Sequence, residues 1–294
     1  MGRVTDATAI QYRQLNSSKG PAVRSSRAQC DKLRYSAEAR RVVTAIPGIR
    51  VLKGEVTGFL EKSGVVLGVV LADGSRIHAS ATVVTTGTFL TAKMFTGSSC
   101  EAGGRVGDPA SLGLSLELAR FGFRLRRLKT GTPPRLHKDS IDWSKTEPQW
   151  GDAIPRMFSF YGGGTRGPVL PQVACYITAT SEAAHEIIEA NFDKSPMYTG
   201  LIQGSGPRYC PSIEDKVRRF RDRNRHQLFL EPEGLDVDDI YVNGASTSLP
   251  ADVQEQFIRT IPGLEQAVFL RHGYAVEYDA VDARQLRQTL ESKD

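Results

Sequence analysis

The sequence predicts a mixed α/β fold, and three observations carry that prediction. Helical and β-branched stretches alternate along the chain without internal repeats or low-complexity tracts. Short strands separated by glycine turns follow the first long helix-like stretch. At 294 residues, with 40% hydrophobic and 24% charged residues, the chain is long enough for about two packed domains.

The elements follow in order. Ser26 to Ala45, rich in Arg, Ala and Glu, reads as a helix that Pro47-Gly48 ends. Arg50 to Leu60, Val65 to Leu71 and Ser75 to His78 read as strands, with Lys62-Ser63-Gly64 and Ala72-Asp73-Gly74 as turns. Ala81 to Thr85 reads as a buried strand ending in the tight loop Thr86-Gly87-Thr88. This order is typical of a nucleotide-binding α/β domain with a small β-meander crossover. A glycine-rich loop, Gly103 to Pro109, leads into a helix from Ser111 to Arg120. Beyond the Lys129-to-Arg135 block, Gly, Pro and aromatic residues become frequent, which places a domain boundary near Lys129. Strands are expected near Met157 to Tyr161, at Cys175 to Thr180, His226 to Leu230 and Val268 to Leu270. Helices are expected over Glu182 to Phe192, Ile213 to about Arg223, and Ala251 to Ile261.

Several classes are excluded. No run of 18 apolar residues exists, so no transmembrane helix is expected, and the first twenty residues form neither a secretory signal nor a basic amphipathic transit peptide. Cys30, Cys100, Cys175 and Cys210 include no C-x-x-C pair, which suits a reducing compartment better than a zinc ribbon or disulfide framework. The five histidines show no ligand spacing, so no metal site is expected. A net charge of +5 is mild and only permits a polyanionic partner. The G-x-G-x-x-G that normally opens a nucleotide-binding domain is absent, and Gly162-Gly163-Gly164 reads as a loop.

The strongest chemical candidate is Gly206 to Lys216. Ser212 and Asp215 have the S-x-x-D spacing of a capping box, which places Cys210 just ahead of a helix start and beside Arg208. Both surroundings favour a thiolate; the alternative is that Cys210 is an inert small hydrophobe. Lys216, Arg218, Arg219, Arg221, Arg223 and Arg225 form a dense cationic run, with Val217 and Phe220 as its expected inward pair. That run reads either as a phosphate-tracking stripe or as a solvated face. A second cluster, Arg124, Arg126, Arg127, Lys129 and Arg135, adds to the polyanion reading. Arg105, in its glycine loop, reads either as a phosphate or flavin contact or as part of an ordinary turn.

Several blocks resemble the MnmG (GidA) family. They are Leu15 to Arg24, Arg127 to Arg135, Gly206 to Lys216, Leu230 to Gly234, Asn243 to Pro250, Gly273 to Asp279 and Thr289 to Lys293. The resemblance implies a partial glutathione-reductase-like FAD-binding domain with an inserted α/β domain. The divisions it implies are residues 1–129, 130–278 and 279–294, the last returning into the FAD domain. It implies a flavoenzyme acting with the GTPase MnmE on C5 of the wobble uridine of tRNA. The carbon comes from methylenetetrahydrofolate, the amine from glycine or ammonium, and electrons from NADH through FAD. The expected product carries a carboxymethylaminomethyl or aminomethyl group, the expected assembly is a homodimer, and the expected compartment is the cytoplasm, with mitochondrion or plastid as alternatives.

Carried over by position, Val56 and Ser111 contact FAD, with Thr86, Gly87 and Arg105 nearby. The run Gly206, Pro207, Arg208, Tyr209, Cys210, Pro211, Ser212, Ile213, Glu214, Asp215, Lys216, Val217, Arg218, Arg219 and Phe220 matches the NAD segment. Cys210 matches one of two cysteines needed for activity. The family's N-terminal strand, its G-G-G-x-x-G loop and its other cysteine have no counterpart here, nor does its C-terminal helical domain. The 294 residues alone are therefore expected to be inactive. Two rival expectations are a non-enzymatic tRNA- or partner-binding fragment and the related folate- and FAD-dependent tRNA uridine methyltransferase.

Overall fold

In a computed structural model, which describes residues 1–160, 167–206 and 211–293, the short strands join into four sheets whose ladders all run antiparallel. The chain opens with helix α1 (Gly2–Thr8) and the hairpin of β1 (Ala9–Leu15) with β2 (Ser25–Cys30), then helix α2 (Lys32–Thr44). The helix expected from Ser26 thus begins six residues later. Residues 25–30 find a strand partner in β1, and a paired neighbour outweighs their modest helix propensity. Asp31 is the N-cap, its carboxylate accepting the Arg34 N–H at 3.0 Å.

Next come β3 (Val56–Lys62), β4 (Val65–Leu71) and β5 (Arg76–His78), the expected meander, although residues 50–55 remain outside its first strand. Gly68 in β4 has φ +144°, and a Cβ there would lie 2.0 Å from the Ile77 carbonyl oxygen, so the close β4–β5 approach requires glycine. The run 81–85 is not a strand. It has no strand partner among the described residues and Val83 is 84% exposed, because β-branched composition cannot substitute for a neighbouring ladder.

β6 (Lys93–Thr96), β7 (Ser99–Ala102), α3 (Gly113–Arg120) and β8 (Leu125–Thr132) follow. Ser111 lies ahead of α3, its backbone tied by Ser111 N–H to Phe89 O and Thr91 N–H to Ser111 O, both 2.9 Å. The rest of the chain adds β9 (Arg135–His137), β10 (Glu147–Gln149), β11 (Cys175–Ala179), α4 (Glu182–Glu189), α5 (Ile213–Arg219) and β12 (Gln227–Pro232). It ends with β13 (Asp239–Asn243), α6 (Ala251–Ile258), β14 (Phe269–Arg271) and β15 (Tyr274–Val281). Residues 157–160 form no strand, and Tyr161 and the triple glycine 162–164 lie outside the described residues.

The six-stranded sheet has the order β10-β11-β12-β13-β9-β14, and a four-stranded sheet has the order β7-β6-β15-β8. The main core gathers Ile188, Val217, Leu228, Leu230, Val242 and Phe257 from three helices and two strands. A smaller core, Leu90, Leu114 and Leu118, packs α3 against β3. β8 and β15 pair continuously from Thr132 with Tyr274 to Leu125 with Val281. The β1–β2 hairpin is fastened to the region of β10–β12: Gln11 Nε2 donates to the Gln149 and Val173 carbonyls, and Arg27 bonds Glu231. No helix among the described residues is long and apolar enough to cross a membrane, and no group of His, Cys, Asp or Glu among them could hold a metal ion.

Candidate functional site

Val56, Thr86 and Ser111, distant in sequence, meet in one cleft of about 410 Å³. Its walls come from the start of β3, the extended run 82–86 and the turn before α3. Val56, Phe59, Val69, Val84 and Leu114 give it an apolar lining. The run 82–85 forms no backbone hydrogen bond among the described residues, so its N–H and C=O groups stand available along one wall. An apolar slot edged by such groups matches a flat heteroaromatic ring with donors and acceptors on its rim, as an adenine has.

The two weaker flavin candidates sit elsewhere. Gly87 occupies a turn with φ +56° and does not line the cleft. Arg105 is also outside it, its guanidinium held by Asp108 at 2.6 Å.

The second candidate segment is only partly described: Pro207, Arg208, Tyr209 and Cys210 lie outside the described residues. Its flanks are firmly held. On the leading side, Glu277 Oε1 accepts the Gln203 and Gly204 N–H groups at 2.7 and 2.6 Å, while Glu277 Oε2 meets Arg127 Nη2 at 2.9 Å. Gly206 is exposed beyond this anchor, and Pro211 is exposed on the other side. There the expected capping box is present, with the Ser212 side chain accepting from Asp215 N–H and the Asp215 side chain accepting from Ser212 N–H. Ile213 N–H donates to Ser246 O at 2.7 Å and Ser248 N–H to Glu214 Oε1 at 3.1 Å, which docks α5 on the loop before α6.

The cationic run differs from the expectation in three ways. The helix ends at Arg219, so Phe220, at its C-cap, is 47% exposed rather than inward; Ile213 and Val217, one turn apart, are the buried pair. Lys216 turns inward as well, donating to Gly244 O at 2.9 Å, and burial pushes its ammonium below the usual lysine range. Arg218 stacks on Tyr198, and Arg221 lies 3.4 Å from Glu189, while Arg219, Arg223 and Arg225 remain exposed.

The second basic cluster is largely drawn into ion pairs: Arg127 pairs with Glu277 and Asp279 and the buried Arg135 with Glu233, while Arg126 pairs with Asp282 but stays exposed, as does Arg124. Lys129, read from sequence as part of that cluster, is 2% exposed and has no carboxylate within ion-pair distance among the described residues. A strand alternation through β8 is the only signal that could have placed it inside.

Of the other thiols, Cys175 is buried and its pKa is pushed up to about 11 by burial and the nearby Glu231; burial also raises Cys30. Neither has the surroundings of a nucleophile.

The family described as "Glucose inhibited division protein A" matches residues 1–294. Similar curated proteins are the tRNA uridine 5-carboxymethylaminomethyl modification enzymes MnmG of Bdellovibrio bacteriovorus, 55% identical over 293 residues, and of Syntrophotalea carbinolica, 50% identical over 293 residues. Both cover all of this chain but only 45% and 47% of their own lengths, so the chain spans about half the length of these relatives. Two solved structures of Aquifex aeolicus GidA, in crystal forms I and II, superpose with TM-scores of 0.92 and 0.91 at 47% and 45% identity. They cover all of this chain and 49% and 47% of theirs. The chain belongs to the glucose-inhibited division protein A (GidA/MnmG) family.

Proposed function

We propose that this chain contributes to a flavin-dependent enzyme that modifies C5 of the wobble uridine in tRNA. Family membership across all 294 residues carries the reading, and the convergence of Val56, Thr86 and Ser111 supports it. In this proposal the cleft takes the adenine end of FAD. The apolar walls hold the ring, the backbone of residues 82–85 meets its edge, and the Ser111 hydroxyl supplies a further polar contact. FAD, when bound, relays electrons from NADH to the carbon added from methylenetetrahydrofolate.

The run 206–220 serves as the NADH segment, with Cys210 as its nucleophilic residue. Glu277 holds Gln203 and Gly204 ahead of the run, and the capping box fixes the start of α5 within it. Arg219, Arg221, Arg223 and Arg225 offer exposed cations to the tRNA backbone, and removing one should lower the salt slope of binding by ~1. The division near residues 129 and 278, a homodimer, the MnmE partner and a cytoplasmic setting belong to the same proposal.

A flavin titration tests it. Saturable quenching of FAD fluorescence that disappears in Val84→Asp, with the fold retained by circular dichroism, is the expected result. Equal quenching in wild type and variant would remove the cleft from the account.

A further inference from the structure

The chain between α5 and β12, residues 220–226, is docked on α4 through a pair of imidazoles that the proposed function leaves unused. His185, on α4, and His226, just ahead of β12, lie with ring centroids 5.1 Å apart and planes inclined by 30°. The buried Thr180 joins them: its N–H donates to His226 O at 2.9 Å, and its Oγ1 accepts the His226 N–H at 2.7 Å. The same Oγ1 lies 2.7 Å from His185 Nε2. The His226 ring also meets Phe220 edge-on at 6.4 Å, and its Nε2 is buried with no hydrogen-bond partner among the described residues. Two exposed contacts tie the same loop to α4, Arg221 to Glu189 at 3.4 Å and Asn224 Nδ2 to Glu182 Oε1 at 3.3 Å. Contacts of that kind contribute little, so the docking depends mainly on the buried cluster.

The cluster is satisfied only while both rings are neutral. Thr180 has one hydroxyl proton, and a neutral His185 receives it at Nε2. An imidazolium at His185 carries its own proton there, which leaves the buried hydroxyl proton without an acceptor among the described residues. An imidazolium at His226 puts a proton on the partnerless Nε2 and a charge 5.1 Å from the second ring. Burial pushes both imidazoles below the usual histidine range, and at His226 the neighbouring His185, Lys216 of α5 and Arg223 of the loop act in the same direction. Glu189 and Glu182 of α4 oppose it at His185. The remaining charged groups nearby are directed elsewhere. On α6, packed against α4, Glu255 bonds His272 and Arg259 bonds the Ala267 carbonyl; Glu231 of β12 bonds Arg27. Glu186, Asp222, Arg225 and Asp252 are exposed.

We propose that His185 and His226 form an acid-released clasp, which holds residues 220–226 against α4 while both rings are neutral and lets the loop go when one is protonated. The loop carries Arg221, Arg223 and Arg225, so its release rearranges the cations offered to tRNA in the reading above; the clasp itself does not rest on that reading.

Hydrogen exchange of the wild-type chain between pH 7.5 and pH 5.5, corrected for the intrinsic pH dependence of exchange, reads the clasp at the Thr180 and His226 amides and along 220–226. Below about pH 6.5 the docked loop binds fewer protons than the released one. Docking is therefore full above that pH and is lost as pH falls below it. The opening constant should rise by up to ~10-fold per pH unit for the first ring to charge. Imidazole NMR titration of the same chain should place the His185 and His226 midpoints below about 6.5. Opening that is independent of pH, or a midpoint at or above that value for either ring, overturns the proposal, and neither measurement needs a variant. His185→Gln combined with His226→Phe keeps a polar partner for Thr180 and a ring beside Phe220, but neither replacement can charge. With its fold checked by circular dichroism, that variant should open its loop equally at both pH values. An undiminished pH response there would assign the release to other groups and end the clasp.

Discussion

Replacing Glu277 by alanine should loosen the entrance to the 206–220 segment. The carboxylate is a single hub: Oε1 takes two short backbone N–H bonds from Gln203 and Gly204, and Oε2 faces Arg127, with the side chain only 7% exposed. Glu277→Ala leaves those N–H groups unpaired and deprives a partly buried guanidinium of one of its two carboxylates. Losing one partner of a buried pair costs about 3–5 kcal/mol. Glu277→Gln keeps one acceptor oxygen, so about 1–2 kcal/mol is expected from the lost charge. Burial alone pushes the Glu277 carboxyl up, but Arg127 and the two amide donors outweigh it and hold the pKa below 4.5. A folded pKa below the unfolded one gives stability that is full above about pH 4.5 and is lost as pH falls through the folded value. Urea unfolding at pH 7 and pH 3.5, with hydrogen exchange at Gln203 and Gly204, measures both effects. The variant should exchange faster at these amides, and its deficit relative to wild type should shrink at the lower pH. A loss below 1 kcal/mol, or a deficit independent of pH, would refute the anchoring argument.

Other expectations follow from the same structure. Gly68→Ala forces a Cβ against the Ile77 carbonyl, so it should separate β5 from β4 and weaken flavin binding at the adjoining Val69 wall, read by FAD titration. Ser212→Ala removes the cap of α5 and should cost ~1 kcal/mol in urea unfolding. Phe257→Ala empties the main core and should cost ~3–5 kcal/mol, a loss visible as a lowered Tm. Cys175, buried and shifted up to about 11, should stay unlabelled by iodoacetamide at pH 8 in the folded chain and become labelled in urea.

Local patterns made much of this molecule legible. The Val65–Leu71 strand and the Ser212 cap follow from a Val-rich run between glycine turns and from S-x-x-D spacing, because both signals are local. The strand β2 and the unpaired run 81–85 did not follow, because a strand exists only with a partner that composition cannot name. Charge was the most misleading signal. Arg126, Arg127 and Arg135 resemble a polyanion patch in sequence, yet each meets a carboxylate from residues 233–282. Lys216 shows the same limit, since only the folded loop at Gly244 reveals that its ammonium points inward. The gathering of Val56, Thr86 and Ser111 came from family resemblance, and no local periodicity connects them.

Mass spectrometry of tRNA nucleosides offers the most direct test of the central proposal. Cells lacking the protein should lose the carboxymethylaminomethyl or aminomethyl group at wobble uridine C5 and regain it when the gene is restored. Unchanged wobble-uridine modification in those cells would contradict the account.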